Sequence, residues 1–158
     1  MTSLTDIITL IVALGGWILA ALVAWLNYKQ KSEEVFFHAL DWLSGGTQKR
    51  NLGIAAIEGY WKNRSFRELS IALLSNSAIY LLLESHQEDA EHELNNLYRM
   101  MNLLLSVKKV SDKNRFHYES LLASVKKAHG NAKRAEGLRV SSENLEKWQR
   151  QLEILLKQ

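Results

Sequence analysis

The sequence contains no cysteine and no proline, and glycine occurs only eight times in 158 residues. Without cysteine there can be no disulfide framework, thiolate zinc site, iron–sulfur cluster or thiol nucleophile. The same absence is compatible with a reducing, cytosol-facing environment. Without proline nothing forces a kink, and long uninterrupted helices are permitted. Charge is also missing, but only in one place. The first 28 residues hold a single charged side chain, Asp6, whereas the other 130 hold thirty-six. The formal net charge of +3 therefore averages two unlike parts.

The uncharged part is a run of 22 residues, Ile7 to Tyr28, IITLIVALGGWILAALVAWLNY. At 1.5 Å per residue a helix of that length spans about 33 Å, enough for a hydrocarbon core of roughly 30 Å. A cleavable signal peptide needs a basic n-region and a small-residue cleavage site. MTSLTD has no Lys or Arg, and no A-x-A follows. Residues 1–28 are therefore read as a retained single-pass anchor in the lipid bilayer. Lys29 and Lys31 follow at once, so the positive-inside rule places the N-terminus outside and residues 29–158 in the cytoplasm, at the cytoplasmic (inner) membrane. Trp25 and Tyr28 fall where an interfacial aromatic belt would lie. Gly16, Ala20 and Ala24 recur every four residues, a small-residue face that lets helices approach and self-associate, though alanine and glycine are also simply common in spans.

Residues 29–158 read as all helix. No stop signal separates Tyr28 from Ser44, where Val35, Phe36, Ala39, Leu40 and Leu43 keep helical spacing. The anchor helix is expected to run on to Gly45-Gly46, with Thr47 as N-cap of a second helix ending near Lys62. Ser65-x-x-Glu68 and Ser85-x-x-Glu88 read as capping boxes. The apolar stretch after the first, residues 69–83, contains Ser70, Ser75, Asn76 and Ser77 and is expected to be a buried core helix rather than a second span. Leu94, Leu97, Met101 and Leu104 form a stripe. Ser111 opens a helix with Phe116, Leu121, Leu122 and Val125, and Ser141 caps a last one with Leu145, Trp148, Leu152 and Leu155. The expected fold class is all-α: one N-terminal transmembrane helix, then a cytoplasmic bundle of about five or six helices.

Charge falls in blocks. Residues 29–67 carry net +3, residues 68–98 six acids and no Lys or Arg, and residues 99–139 net +7. Acids of the middle block can pair with either basic block, inside the protomer or across subunits. They cannot neutralise both, so residues 29–158 keep +4, a field that attracts an anionic ligand or anionic headgroups.

The sharpest local motif is Gly45-Gly46-Thr47-Gln48-Lys49-Arg50-Asn51. A glycine pair feeds a helix N-terminus, where free N–H groups favour an anion. Lys49 and Arg50 sit in the first turn, which the dipole disfavours unless an anion bridges them. The spacing is not that of a Walker A loop. Arg50, Ile54, Ile57, Trp61 and Arg64 fall on one helical stripe, and Tyr60-Trp61-Lys62-Asn63-Arg64 sets aromatic rings beside cations and an amide. Those are the ingredients of base stacking with phosphate contact, although Trp61 serves equally as core. A second basic cluster, Lys108-Lys109 with Lys113-Asn114-Arg115, flanks a helix junction as a candidate opposite wall. The candidate ligand-binding set is thus Thr47, Lys49, Arg50, Asn51, Tyr60, Trp61, Asn63 and Arg64. His86-Gln87-Glu88-Asp89-Ala90-Glu91-His92 holds ligand-type side chains but fits a solvated helix face better than a metal site. No HExxH, GxSxG or dinucleotide fingerprint occurs, so neither enzyme, cofactor nor metal is expected.

One membrane helix, a small basic helical domain, LNYKQK at the membrane exit and GGTQKRN beyond it together resemble the membrane-anchored effectors of type III CRISPR antiviral defence. That resemblance implies a homotetramer whose cytoplasmic domain binds a cyclic oligoadenylate, cyclic tetra-adenylate in particular, and then disturbs the membrane. Two other classes stay open: a membrane-tethered helical adaptor for a protein partner, and a ligand-independent pore-forming, toxin-like protein.

Overall fold

The computed structural model describes residues 4–85, 90–130 and 137–158, and side chains from residue 13 onward except that of residue 90. The described residues form six α-helices and no strand: α1 (Leu4–Leu43), α2 (Thr47–Tyr60), α3 (Arg64–Leu83), α4 (Ala90–Leu105), α5 (Asp112–Gly130) and α6 (Ser142–Leu156). Residues 86–88 of the Ser85-x-x-Glu88 box, most of the acidic run at 86–92 and residues 131–136 of the loop-like stretch lie outside the described residues. The chain divides into two compact units, Met1–Phe37 and His38–Gln158.

The first unit is helix. From residue 13 to residue 31 every side chain is exposed, including Trp17, Ile18, Leu19, Trp25 and Tyr28. The ammonium of Lys29 lies 5.8 Å from the Trp25 ring. Of the predicted anchor Ile7–Tyr28, side chains 7–12 lie outside the described residues. Among the described residues, the helix long and apolar enough to cross a membrane is α3, with 39% of its most apolar stretch buried. It lies mid-chain, unlike the predicted anchor.

In the second unit α3 packs on α5 and α4, α5 on α6, and α2 on α4. The core draws Ile54 and Ile57 from α2, Leu74, Leu81 and Leu82 from α3, and Leu97, Met100 and Met101 from α4. α6 buries Leu145, Trp148, Leu152 and Leu155, the expected stripe. Ser141 caps it by accepting from the Asn144 N–H. Tyr118 of α5 is fully buried, and its hydroxyl donates to the Leu104 carbonyl at 2.7 Å. Burial, and to a lesser degree the Glu68 charge, push its phenol well above the ordinary range; Arg67 opposes that.

Three local expectations are overturned. Helix α2 begins at Thr47 with Gly46 as N-cap and ends at Tyr60, short of Lys62. Asn63, rather than Ser65, caps α3: its side-chain oxygen accepts from the N–H groups of Ser65 and Phe66. Arg64 therefore belongs to α3, and the stripe from Arg50 to Arg64 is broken by the turn at Trp61-Lys62. Of the apolar residues expected on α5, Leu121 and Val125 are buried and Phe116 is 71% exposed.

Two glycines mark close approaches. A Cβ on Gly53 would lie 2.7 Å from the Ala39 carbonyl, where α2 crosses the last turns of α1. Gly137 has φ +85°, and a Cβ there would meet the Leu82 carbonyl at 2.2 Å. The segment it starts closes the C-terminus of α3: Gly137 N–H donates to Ser85 O and Leu138 N–H to Leu81 O, at 3.0 and 2.9 Å.

Candidate functional site

Two clefts in the second unit hold part of the set singled out by sequence, Thr47 and Arg50 in one and Arg64 in the other. The first, about 630 Å³, opens at the N-terminus of α2. Gly46 supplies no side-chain cap, so the first-turn N–H groups lack a protein partner of that kind. Ser44, Thr47, Arg50, Leu73, Asn76 and Tyr80 are among the residues lining it, and the Arg50 guanidinium lies 5.9 Å from the Tyr80 ring centroid.

An anion already sits at this helix end, and it is a side chain. Glu93 of α4 pairs with Arg50, each side chain only 9% exposed. The same Glu93 oxygen accepts from the Thr47 hydroxyl at 2.9 Å. Arg50 also donates from Nε to Leu43 O at 3.2 Å and from Nη2 to Gly45 O at 3.0 Å. Asn96 donates to Thr47 O and to the other Glu93 oxygen, both at 3.3 Å. Arg50 is thus committed to a knot joining the end of α1, α2 and α4. Separating such a buried pair costs about 3–5 kcal/mol, which a ligand phosphate at this point must offset.

The remaining members of the predicted set disperse. Lys49 is exposed beside Gly45. Asn51 accepts from Arg99, whose guanidinium also pairs with Glu58 at 2.7 Å. That pairing holds the Arg99 pKa above its ordinary value, mainly through the hydrogen bond to Glu58, with desolvation acting against it. Tyr60 packs edge-on to Phe66, ring centroids 5.2 Å apart. Trp61 donates from Nε1 to the Ser106 hydroxyl at 2.8 Å, and Asn63 is spent as a cap.

Arg64 reaches the second cleft, about 560 Å³, between the N-terminal ends of α3 and α5. Arg64, Arg67, Lys108 and Lys109 line it with two acids, Glu68 and Asp112. Glu68 is held by neutral donors, the Ser111 hydroxyl at 2.7 Å and the Asn114 amide at 2.6 Å. Arg67 reaches the Trp61 carbonyl at 3.5 Å. The two basic segments that the sequence set 40-odd residues apart thus meet here, with Lys113 in an adjoining recess that shares Arg64, Glu68, Ser111 and Asp112. Arg115 turns elsewhere, to Glu119 and Leu156 O.

The anchor positions Gly16, Ala20 and Ala24 are exposed on α1. Among the described residues no group of three or more His, Cys, Asp or Glu is arranged to hold a metal ion. Sequence reasoning passed over Glu93, Arg67 and Glu68 as site residues. All three are ordinary charged residues on amphipathic helices, and only tertiary packing brings them to their partners. No protein-family model matches the chain, and neither a curated protein nor a solved structure is similar to it.

Proposed function

We propose that this protein is a membrane-anchored effector whose helical domain senses a phosphate-bearing second messenger of the cyclic oligoadenylate class. In this reading α1 crosses the cytoplasmic membrane once, N-terminus outside, and residues 29–158 lie in the cytoplasm. The observation that carries it is the uncharged 22-residue run Ile7–Tyr28, every described side chain of which is exposed, followed at once by Lys29 and Lys31. Exposed Leu, Trp and Ile along several turns cost folding free energy in water and gain it in lipid. α3 is the weaker candidate for the span. Seven of its residues are buried in the bundle, Ser70 and Ser75 among them.

The effector action follows from population shift. A ligand changes the membrane only if it binds one arrangement of the domains better than another. A homotetramer would present one equivalent cation set to each phosphate of a fourfold ring, and the face at Gly16, Ala20 and Ala24 would pack the anchors. The test is dye release from proteoliposomes holding the full chain, with cyclic tri-, tetra- and hexa-adenylate added. Ligand-dependent release with one ring size is expected. Release without ligand would favour an autonomous pore, and no release under any condition would overturn the effector reading.

A tethered adaptor is the second reading. Leu69, Leu73 and Tyr80 stand exposed along one face of α3, an apolar stripe of the kind that receives a partner helix.

A further inference from the structure

We infer that the cleft between the N-terminal ends of α3 and α5 is a phosphate-binding site, taking a di- or oligophosphate group or phosphodiester through Arg64, Lys108 and Lys109. In the second unit the cations Arg50, Arg99, Arg115, Lys126 and Arg150 pair with carboxylates, and others such as Lys49, Lys127 and Lys147 stand singly exposed. This cleft instead gathers four cationic side chains, Arg64, Arg67, Lys108 and Lys109, into one recess with two acids. Among the described residues the side chains of Arg64, Lys108, Lys109 and Lys113 have neither a hydrogen bond nor an ion pair, although Glu68 and Asp112 line the same recess.

Glu68 accepts through Oε2 from the Ser111 hydroxyl and the buried Asn114 amide, at 2.7 and 2.6 Å, neutral donors that fix its position. With Asp112 it offsets two of the four cationic charges, and the lining stays net positive. Like charges gathered in one concave recess repel one another, and an entering anion relieves all of them together. Arg64 and Arg67 also occupy the first turn of α3, which holds no acid. Cations are disfavoured at that end of the dipole unless an anion lies against them. Guanidinium supplies the planar bidentate contact to phosphate oxygens, and the two ammonium groups supply point charges. About 560 Å³ accommodates a pyrophosphate with water or one nucleotide. The site differs from the GGT motif, where Glu93 already holds the cation.

This site requires α3 to lie in the bundle rather than in a bilayer, and its test is separable from dye release. Pyrophosphate is titrated calorimetrically into the detergent-solubilised full chain at low salt. Saturable one-site binding is expected, weakened about tenfold or more by Lys108→Gln/Lys109→Gln and independently by Arg64→Gln. The charge-matched control Lys127→Gln/Lys147→Gln should leave it unchanged, with helicity by circular dichroism equal in all variants. Repeating the titration in nanodiscs of phosphatidylcholine or phosphatidylglycerol identifies the source. Competition confined to the anionic lipid marks a headgroup, and equal affinity marks a soluble phosphate. No binding, or equal loss in the control, would overturn the site.

Discussion

Arg50 and Glu93 are 43 residues apart in the chain, and each is far more costly alone than paired. Both side chains are 9% exposed, so Glu93→Ala leaves a guanidinium with only the carbonyls of Leu43 and Gly45. The expected loss is about 3–5 kcal/mol, read from urea unfolding of the helical signal. Arg50→Met/Glu93→Leu, which removes both charges and keeps apolar volume, should recover most of that loss. Failure to recover would show that the carbonyl contacts, rather than the ion pair, carry the knot. Tyr118 gives a second residue-scale expectation, and its sign follows from linkage. Its pKa is raised in the fold, so the unfolded chain releases the phenolic proton first. The stability it contributes is intact below the ordinary tyrosine value, about 10, and is lost as pH rises above it towards the folded value. Tyr118→Phe should lose about 1 kcal/mol at neutral pH with the hydrogen bond to Leu104, yet fall less steeply than the parent above pH ~10. Parallel pH–stability curves for the two would sink this account.

At the scale of elements, the junctions are more sensitive than the helix interiors. Gly137→Ala forces a Cβ against the Leu82 carbonyl at a φ of +85°. It should destabilise by at least about 1–3 kcal/mol, the cost of a strained backbone position, because the segment also satisfies the carbonyls of Leu81 and Ser85. Gly59→Ala, which meets nothing within 4 Å, is the matching control and should be neutral or slightly stabilising. A similar Tm for both variants would contradict the docking of that segment. The same contrast explains what was legible in sequence. The stripe Leu145, Trp148, Leu152 and Leu155 lies within one helix, and periodicity alone locates it. Ser65-x-x-Glu68 has the spacing of a capping box that would draw on the Glu68 N–H, yet Asn63 two residues earlier caps α3 instead, accepting from the N–H groups of Ser65 and Phe66. Glu68 was free to be drawn to Ser111 and Asn114, partners that no local pattern announces. Charge blocks were legible as blocks. Which cations would stay unpaired depended on packing between α3 and α5, and so could not be read from spacing.

For the whole molecule the deciding matter is which apolar helix meets lipid. α1 and α3 are both long enough, but they dispose of their apolar side chains in opposite ways. α3 turns Ile71, Leu74, Ala78, Leu81 and Leu82 into the bundle, and a helix that meets the core on one side and exposes Leu69 and Leu73 on another has no need of a bilayer. α1 exposes every described side chain from residue 13 to residue 31, the disposition that the proposed anchor requires. Arginine near the centre of a span costs about 2.5–3.5 kcal/mol per residue by insertion scales. Ile18→Arg/Leu19→Arg should therefore move the protein from the carbonate-resistant membrane fraction to the soluble or aggregated fraction. Leu69→Arg/Leu73→Arg on the exposed face of α3 should leave fractionation unchanged. The reverse result would make α3 the span and remove the bundle that brings Arg64 to Lys108. Anchor and cationic cleft are therefore linked through topology: α3 cannot both cross the bilayer and form one wall of that cleft against α5.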